Sequence, residues 1–223
     1  MTGTTVRDRQ EATVRPAEVV REYGPFAGAR SVHGFSHDGE RVWAATGAAL
    51  VAFDPASGQT LQTLACACDA GTAFDGTHLW QIAEARIDKI DPASGAVVAS
   101  IPTPGGDGAS GLTWAEGSLW LGQYRSRRIH QLEPATGKVL KTIESNRFVT
   151  GVTWVDGELW HGTWEGDESE IRRIDATDGT VLDRLAMPAG AGVSGLESDG
   201  ADLFYAGGGG SGTVRAVRRT VTA

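Results

Sequence analysis

Long apolar runs are missing from this sequence, as are a basic charge excess and any wealth of cysteine. Nothing approaches the roughly 18 consecutive apolar residues of a membrane-spanning helix. Met1 to Pro16 are polar and charged, without the apolar core of a secretory leader, so a soluble, cytoplasmic protein is expected. The formal net charge of -8 speaks against nucleic acid and anionic membrane as partners, since both demand a basic footprint. Only two cysteines occur, Cys66 and Cys68. In a reducing cytosol they are expected as thiols, and a bridge across one residue of an extended strand is awkward to close. No nucleophile elbow, phosphate-cradling loop or metalloprotease motif is found either. The run from Gly207 to Gly212 opens no helix and carries no Lys, so it reads as a flexible loop.

Glycine, by contrast, is plentiful at 31 residues, beside 40% hydrophobic residues, a balance suited to short strands and tight turns. A glycine followed nine residues later by a large aromatic recurs five times: Gly34/Trp43, Gly71/Trp80, Gly111/Trp120, Gly151/Trp160 and Gly195/Phe204. Successive glycines are 37, 40, 40 and 44 residues apart. A second signature follows in four units, as in Asp54-Pro-Ala-Ser-Gly and Asp91-Pro-Ala-Ser-Gly. It is turn chemistry: an acid to open, Pro to fix φ, Gly for positive φ. Each period then reads as four short strands, in the third unit near 110–115, 118–124, 128–133 and 138–143. Repeats of about 40 residues with four antiparallel strands are blades of a β-propeller. The expected fold is therefore all-β and five-bladed, with the repeated aromatic packed between blades.

The final repeat stops after Arg219 without a fourth strand, and the missing piece stands at the other end of the chain. Glu18 to Tyr23 resembles the fourth-strand segments Val139 to Ile143 and Val181 to Leu185. An N-terminal strand is thus expected to complete blade five and close the ring, which removes free sheet edges. Residues 1–17 are expected as a flexible tail and 18–220 as a single propeller.

First strands of propeller blades line the central channel, so positions that vary between repeats are candidates for function. The residues before the five glycines are His33, Ala70, Ser110, Thr150 and Ser194; those two after are Ser36, Ala73, Thr113, Thr153 and Glu197. His33 and Glu197 break otherwise small, neutral rings. Entry loops add Cys66, Cys68, Asp69, Asp107 and Arg147, and loops between second and third strands add Glu84, Tyr124 and Trp164, with His161 just after the blade-four aromatic. Together they suit a polar small-molecule site at the channel mouth. His33, Glu197, Glu84 and Asp69 are the candidate acid–base groups, and Cys66, Cys68, Tyr124, Arg147, His161 and Trp164 the candidate substrate contacts. Each has a plainer reading. His33 serves equally as an internal hydrogen-bonding residue, and Glu197, expected to have a raised pKa if buried, as an acceptor for inner-strand amides. Cys66 and Cys68, on one side of an extended segment, either meet a thiophilic metal, completed by His33 and Asp69, or simply pack. His37, His78 and His130 fall at turns or outer strands and are assigned no role.

Residues 30–219 resemble the superfamily that holds glutaminyl-peptide cyclotransferases of the plant and bacterial type, virginiamycin B lyase and gluconolactonase-like propellers. The resemblance is carried by "GLTWAEGSLW", "GVTWVDGELWHGTW", "IDKIDPASGAVV" and "RRIDATDGTVL". It implies a five-bladed propeller and an enzyme of lyase or cyclotransferase type acting on a small polar metabolite. A non-catalytic binding or scaffold propeller is the alternative. Lyase or lactonase chemistry would imply a divalent metal held by channel carboxylates and His. Cyclotransferases of this type carry a proton-transferring Glu directly before a blade's Gly-Leu, and none of the five equivalent positions here is Glu.

Overall fold

The computed structural model describes residues 12–105 and 108–219. All elements among them are strands, arranged in five sheets. The chain opens with β1 (Val14–Pro16) and β2 (Val19–Tyr23). Blade one is β3 (Gly34–His37), β4 (Val42–Ala45), β5 (Gly47–Phe53) and β6 (Thr60–Cys68). Blade two is β7 (Thr72–Phe74), β8 (Leu79–Ala83), β9 (Arg86–Ile90) and β10 (Val97–Pro102). Blade three is β11 (Ala109–Ala115), β12 (Ser118–Gln123), β13 (Arg128–Leu132) and β14 (Val139–Glu144), each within a residue or so of its expected bounds. Blade four is β15 (Val152–Val155), β16 (Glu158–Glu165), β17 (Glu168–Ile174) and β18 (Val181–Ala186). Blade five is β19 (Gly195–Ser198), β20 (Leu203–Gly207) and β21 (Val214–Arg218), completed on its outer edge by β2. β2 runs antiparallel to β21, with Val19 opposite Val217 and Tyr23 opposite Val214. This is the five-bladed, ring-closed propeller read from the repeat.

Two features of the N-terminal and glycine-rich segments depart from expectation. Residues 14–16, placed in the tail, form β1, which pairs in parallel with β18 and gives blade four a fifth strand. The glycine run is ordered rather than loose: Gly209 exchanges both backbone hydrogen bonds with Val32, at 2.7 and 3.2 Å, and joins blade five to blade one. Four of its five glycines are required by conformation, since Gly207, Gly208, Gly209 and Gly212 have positive φ.

The repeated aromatics fill the wedges between blades. Trp43, Trp80, Trp120, Trp160 and Phe204 are all buried, and Trp120 and Trp160 meet the rings of Trp154 and Phe204 in the next blade. The repeated glycines serve a different purpose. A β-carbon on Gly34 would lie 2.6 Å from Gly71 Cα, and one on Gly71 2.7 Å from Gly111 C. One on Gly111 would lie 2.7 Å from Gly151 C, one on Gly151 2.7 Å from Gly195 C, and one on Gly195 2.8 Å from Gly34 Cα. The five contacts return to their starting point. Five backbones therefore meet around the axis at a distance no side chain permits, and the ring they make parts the channel into two mouths.

Candidate functional site

The positions before the five glycines, His33, Ala70, Ser110, Thr150 and Ser194, gather on one side of the glycine ring. With Asp69, Ala109, Tyr124 and Trp164 they line a cavity of about 290 Å³. A neighbouring cavity of about 340 Å³ shares Asp69, Ala70 and Ala109 and reaches Glu84. His33 enters this mouth because Val32, one residue earlier, is pinned by Gly209, and because its own N–H donates to Ala45 O at 2.8 Å. Its Nε2 lies 2.8 Å from Ser31 Oγ. Burial holds its pKa below the usual histidine value, partly opposed by the nearby Asp69 carboxylate, so the ring is neutral at neutral pH. Asp69 also accepts the Glu84 N–H, at 3.2 Å, where Glu84 turns the chain with a positive φ of 55°.

The two aromatics of this mouth are held by packing and, for Trp164, also by its own hairpin turn. Trp164 lies where only glycine leaves room: β-carbons on Gly192 and Gly209 would come within 3.0 and 3.2 Å of its indole. Its Nε1 donates to Gly166 O at 3.1 Å. Tyr124 stacks on Phe148 with ring centroids 4.6 Å apart, and the Arg127 guanidinium lies 4.5 Å from the Phe148 ring on the same cluster. Tyr124 and Trp164 face a space bordered by Ser110, Thr150 and Ser194, although the Thr150 hydroxyl itself is turned into the blade and buried. His33, Asp69, Glu84, Tyr124 and Trp164 are thus brought together as the repeat suggested. Asp107 lies outside the described residues.

The remaining candidates are not brought there. His161 stands two residues after Leu159 and so shares the face of β16 that Leu159 turns to the core between blades three and four; it is fully buried, with no partner for Nε2. Burial drives its pKa down to about 4. Arg147 turns outward to Glu165, at 2.7 Å, and lines a cleft of about 430 Å³ between the outer parts of blades three and four. Cys66 and Cys68 belong to the outermost strand of blade one, not to an entry loop. Cys68 is wholly buried with Ala45, Leu50 and Leu79, while Cys66 is half-buried. β6 spends four residues, Ala65 to Cys68, where β5 spends three, Gly47 to Ala49, and at this bulge the thiols are in hydrogen-bonding contact. That contact and burial push the Cys68 thiol far up, and Cys66, which gains the bond, is lowered.

Glu197 reaches the channel from the other side. Ser36, Ala73, Thr113 and Thr153 at the same repeat position are small and leave space for its longer chain. Its Oε1 accepts the Thr153 hydroxyl at 2.6 Å and the Ser198 N–H at 2.8 Å. These bonds favour the ionised form, but burial outweighs them and raises the pKa to about 8. Here it lines a third cavity, of about 240 Å³, with His37, Phe74, Trp114, Trp154, Ser198 and Asp199. His37, Phe74, Trp114, Trp154 and Ser198 are the positions three after the five glycines. The signal was available in the repeat, because four of those five positions carry a ring, His37 among them. No three His, Cys, Asp or Glu side chains converge to hold a metal ion among the described residues. The divalent metal implied by lyase or lactonase chemistry therefore has no fitting ligand set there.

No family model matches the sequence, and no curated protein does. Solved structures share its architecture. Glutaminyl cyclase from Myxococcus xanthus is 17% identical, with a TM-score of 0.77 covering 96% of this chain and 100% of that one. Hydrazine synthase from Kuenenia stuttgartiensis is 14% identical, with a TM-score of 0.51 covering 82% of this chain and 58% of that one. A chain of the mitotic checkpoint complex is 15% identical, with a TM-score of 0.52 covering 85% of this chain and 74% of that one. At these identities the likeness establishes the fold.

Proposed function

We propose that this chain is a small-molecule enzyme of cyclotransferase type, working at the mouth of the His33 ring. The observation that carries the reading is His33 itself: a neutral, half-buried imidazole at the position before a blade glycine, facing a cavity walled by Tyr124 and Trp164. That is the repeat position at which the cyclotransferases this sequence resembles carry their proton-transferring Glu. The full-length likeness to a glutaminyl cyclase supports the same class. Cyclisation joins a substrate's N-terminal amine nitrogen to its γ-carboxamide carbon and breaks the bond to the amide nitrogen, which leaves as ammonia. A proton must pass from the attacking nitrogen to the departing one. His33 can accept and return it without a change of position. The Ser194 hydroxyl offers a hydrogen bond to the carboxamide, Ser110 Oγ, which donates to Val149 O, can accept one from it, and the two aromatics cover the apolar part of the peptide.

Ammonia release from a panel of glutaminyl dipeptides tests this. His33→Asn should lower kcat by about 10²-fold or more, and Trp164→Ala should act mainly on KM. The rate should climb as pH rises through the His33 ionisation, below the usual histidine range, and stay level above it. The second reading, a non-catalytic binding propeller, is favoured by the lack of Glu at all five positions before the glycines. Saturable peptide binding without ammonia release by the wild-type protein would select it.

A further inference from the structure

The mouth opposite His33 is a built site in its own right. Three carbon aromatics, Phe74, Trp114 and Trp154, and the His37 imidazole surround it, while Glu197 and Asp199 supply carboxyl groups. No Lys or Arg is among its lining residues. The rings are held from behind: Trp114 stacks on Trp80 at 6.2 Å, Trp154 on Trp120 at 5.4 Å and His37 on Tyr205 at 6.0 Å. Both hydrogen bonds to Glu197 fall on Oε1, so Oε2 is the oxygen able to meet a ligand. Aromatic faces and carboxylates attract the same class of guest, a cation with apolar substituents. An anion would meet like charge, and a neutral apolar group would leave the carboxyls without a partner.

We infer that this second mouth binds a small organic ammonium ion, its charge held by Glu197 and Asp199 and its alkyl groups by Phe74, Trp114 and Trp154. The site lies across the glycine ring from His33 and does not depend on the reaction proposed there. Binding a cation favours the ionised form of Glu197, so it should release a proton and tighten with rising pH. Of the other titratable groups at this end, burial holds His37 below its ordinary value and Tyr205 above its own, so neither changes charge between pH 7 and 9. Asp199 lines the same mouth.

Choline and its uncharged isostere 3,3-dimethylbutan-1-ol are the probes, titrated while the indole N–H resonances are followed by NMR. Choline should shift the Trp114 and Trp154 signals with saturation below about 50 mM. The alcohol should bind at least about tenfold more weakly. From pH 7 to 9 choline affinity should rise by up to about tenfold, the growth of ionised Glu197 for a group titrating near 8. Glu197→Gln, nearly isosteric and still able to accept the Thr153 hydroxyl, should lose both the affinity and its pH dependence, and exposed-side Asp199→Asn should weaken binding less. Equal affinity for choline and the alcohol would overturn the inference. So would no shift up to that concentration, or loss of binding in His33→Asn but not in Glu197→Gln.

Discussion

Two blade tryptophans donate their indole N–H to an aspartate, and two donate to nothing. Trp43 Nε1 reaches Asp38 at 2.8 Å and Trp80 Nε1 reaches Asp75 at 2.9 Å, both acids standing four residues after the blade glycine. In blades three and four that place is held by Ala115 and Val155, and the Nε1 atoms of Trp120 and Trp160 are buried without a partner. The hairpins explain the exchange. Glu116-Gly117 and Asp156-Gly157 both have positive φ, the tight two-residue turn that needs no side-chain cap, so the aspartate was free to go. Trp80 and Trp120 are close counterparts, each buried and stacked on the next blade's Trp, although Trp80 alone also carries Lys89 Nζ over its ring at 4.9 Å, a contact a phenyl ring can keep. Trp80→Phe should therefore destabilise by about 1–2 kcal/mol more than Trp120→Phe, because only the first loses a hydrogen bond. Urea unfolding of the two variants measures the difference, and equal losses would refute the assignment. The same residue-level detail limits what a sequence discloses. That Glu197 breaks a ring of small residues was readable. Which mouth it serves was not, because three residues along a strand, about 10 Å, carry a side chain past the glycine closure, and nothing in five aligned glycines says that they touch.

The N-terminal segment is the element on which ring closure turns. β1 lies on blade four and β2 on blade five, so ten residues bind the outer edges of two blades. β2 ends in Tyr23, whose hydroxyl donates to Pro55 O at 3.0 Å and whose ring packs on Phe53 and Tyr205, which carries the closure into blade one. β2 was legible because the truncated last repeat demanded a fourth strand and the pattern of Val139 to Ile143 recurs at Glu18 to Tyr23. β1 was not, since a parallel fifth strand has no counterpart in the repeat. Nor was the bulge at Cys66, since Cys-Ala-Cys reads equally as the start of a loop. Deleting residues 1–24 should lower the thermal midpoint by about 10 °C or more, given the loss of a buried aromatic and an opened edge. Deleting only 1–17, which spares β2, should cost clearly less. Differential scanning calorimetry of the two truncations distinguishes them, and an unchanged midpoint for the longer deletion would exclude closure by β2.

At the scale of the whole molecule, two buried ionisable groups make stability depend on pH in opposite directions. Glu197 titrates near 8 in the fold and near 4.5 in the unfolded chain, so between those values the native state keeps a proton that the unfolded state gives up. Stability from this group falls as pH rises across that window and levels off above it. His161 is the reverse, with a folded value near 4 against 6.5, so the unfolded chain takes up a proton the native state refuses. Its contribution is intact above 6.5 and is lost as pH falls towards 4. Between about pH 4.5 and 6.5 the two slopes oppose each other and nearly cancel; from 6.5 to 8 only the Glu197 slope remains. His33, His37 and His130, which burial also holds below their ordinary value, add slope of the His161 sign, so the wild-type midpoint should rise across the first interval and decline across the second. Glu197→Gln keeps the shape and an acceptor for Thr153 but has no proton to lose. Its advantage over wild type should be near zero at pH 4.5 and grow to the order of 5 kcal/mol, about 15 °C, by pH 8–9. Thermal melts of both proteins from pH 4.5 to 9 decide the matter. Curves that run parallel across that range would mean that Glu197 is already ionised in the fold, held by Thr153 and Ser198, and that burial does not govern its charge.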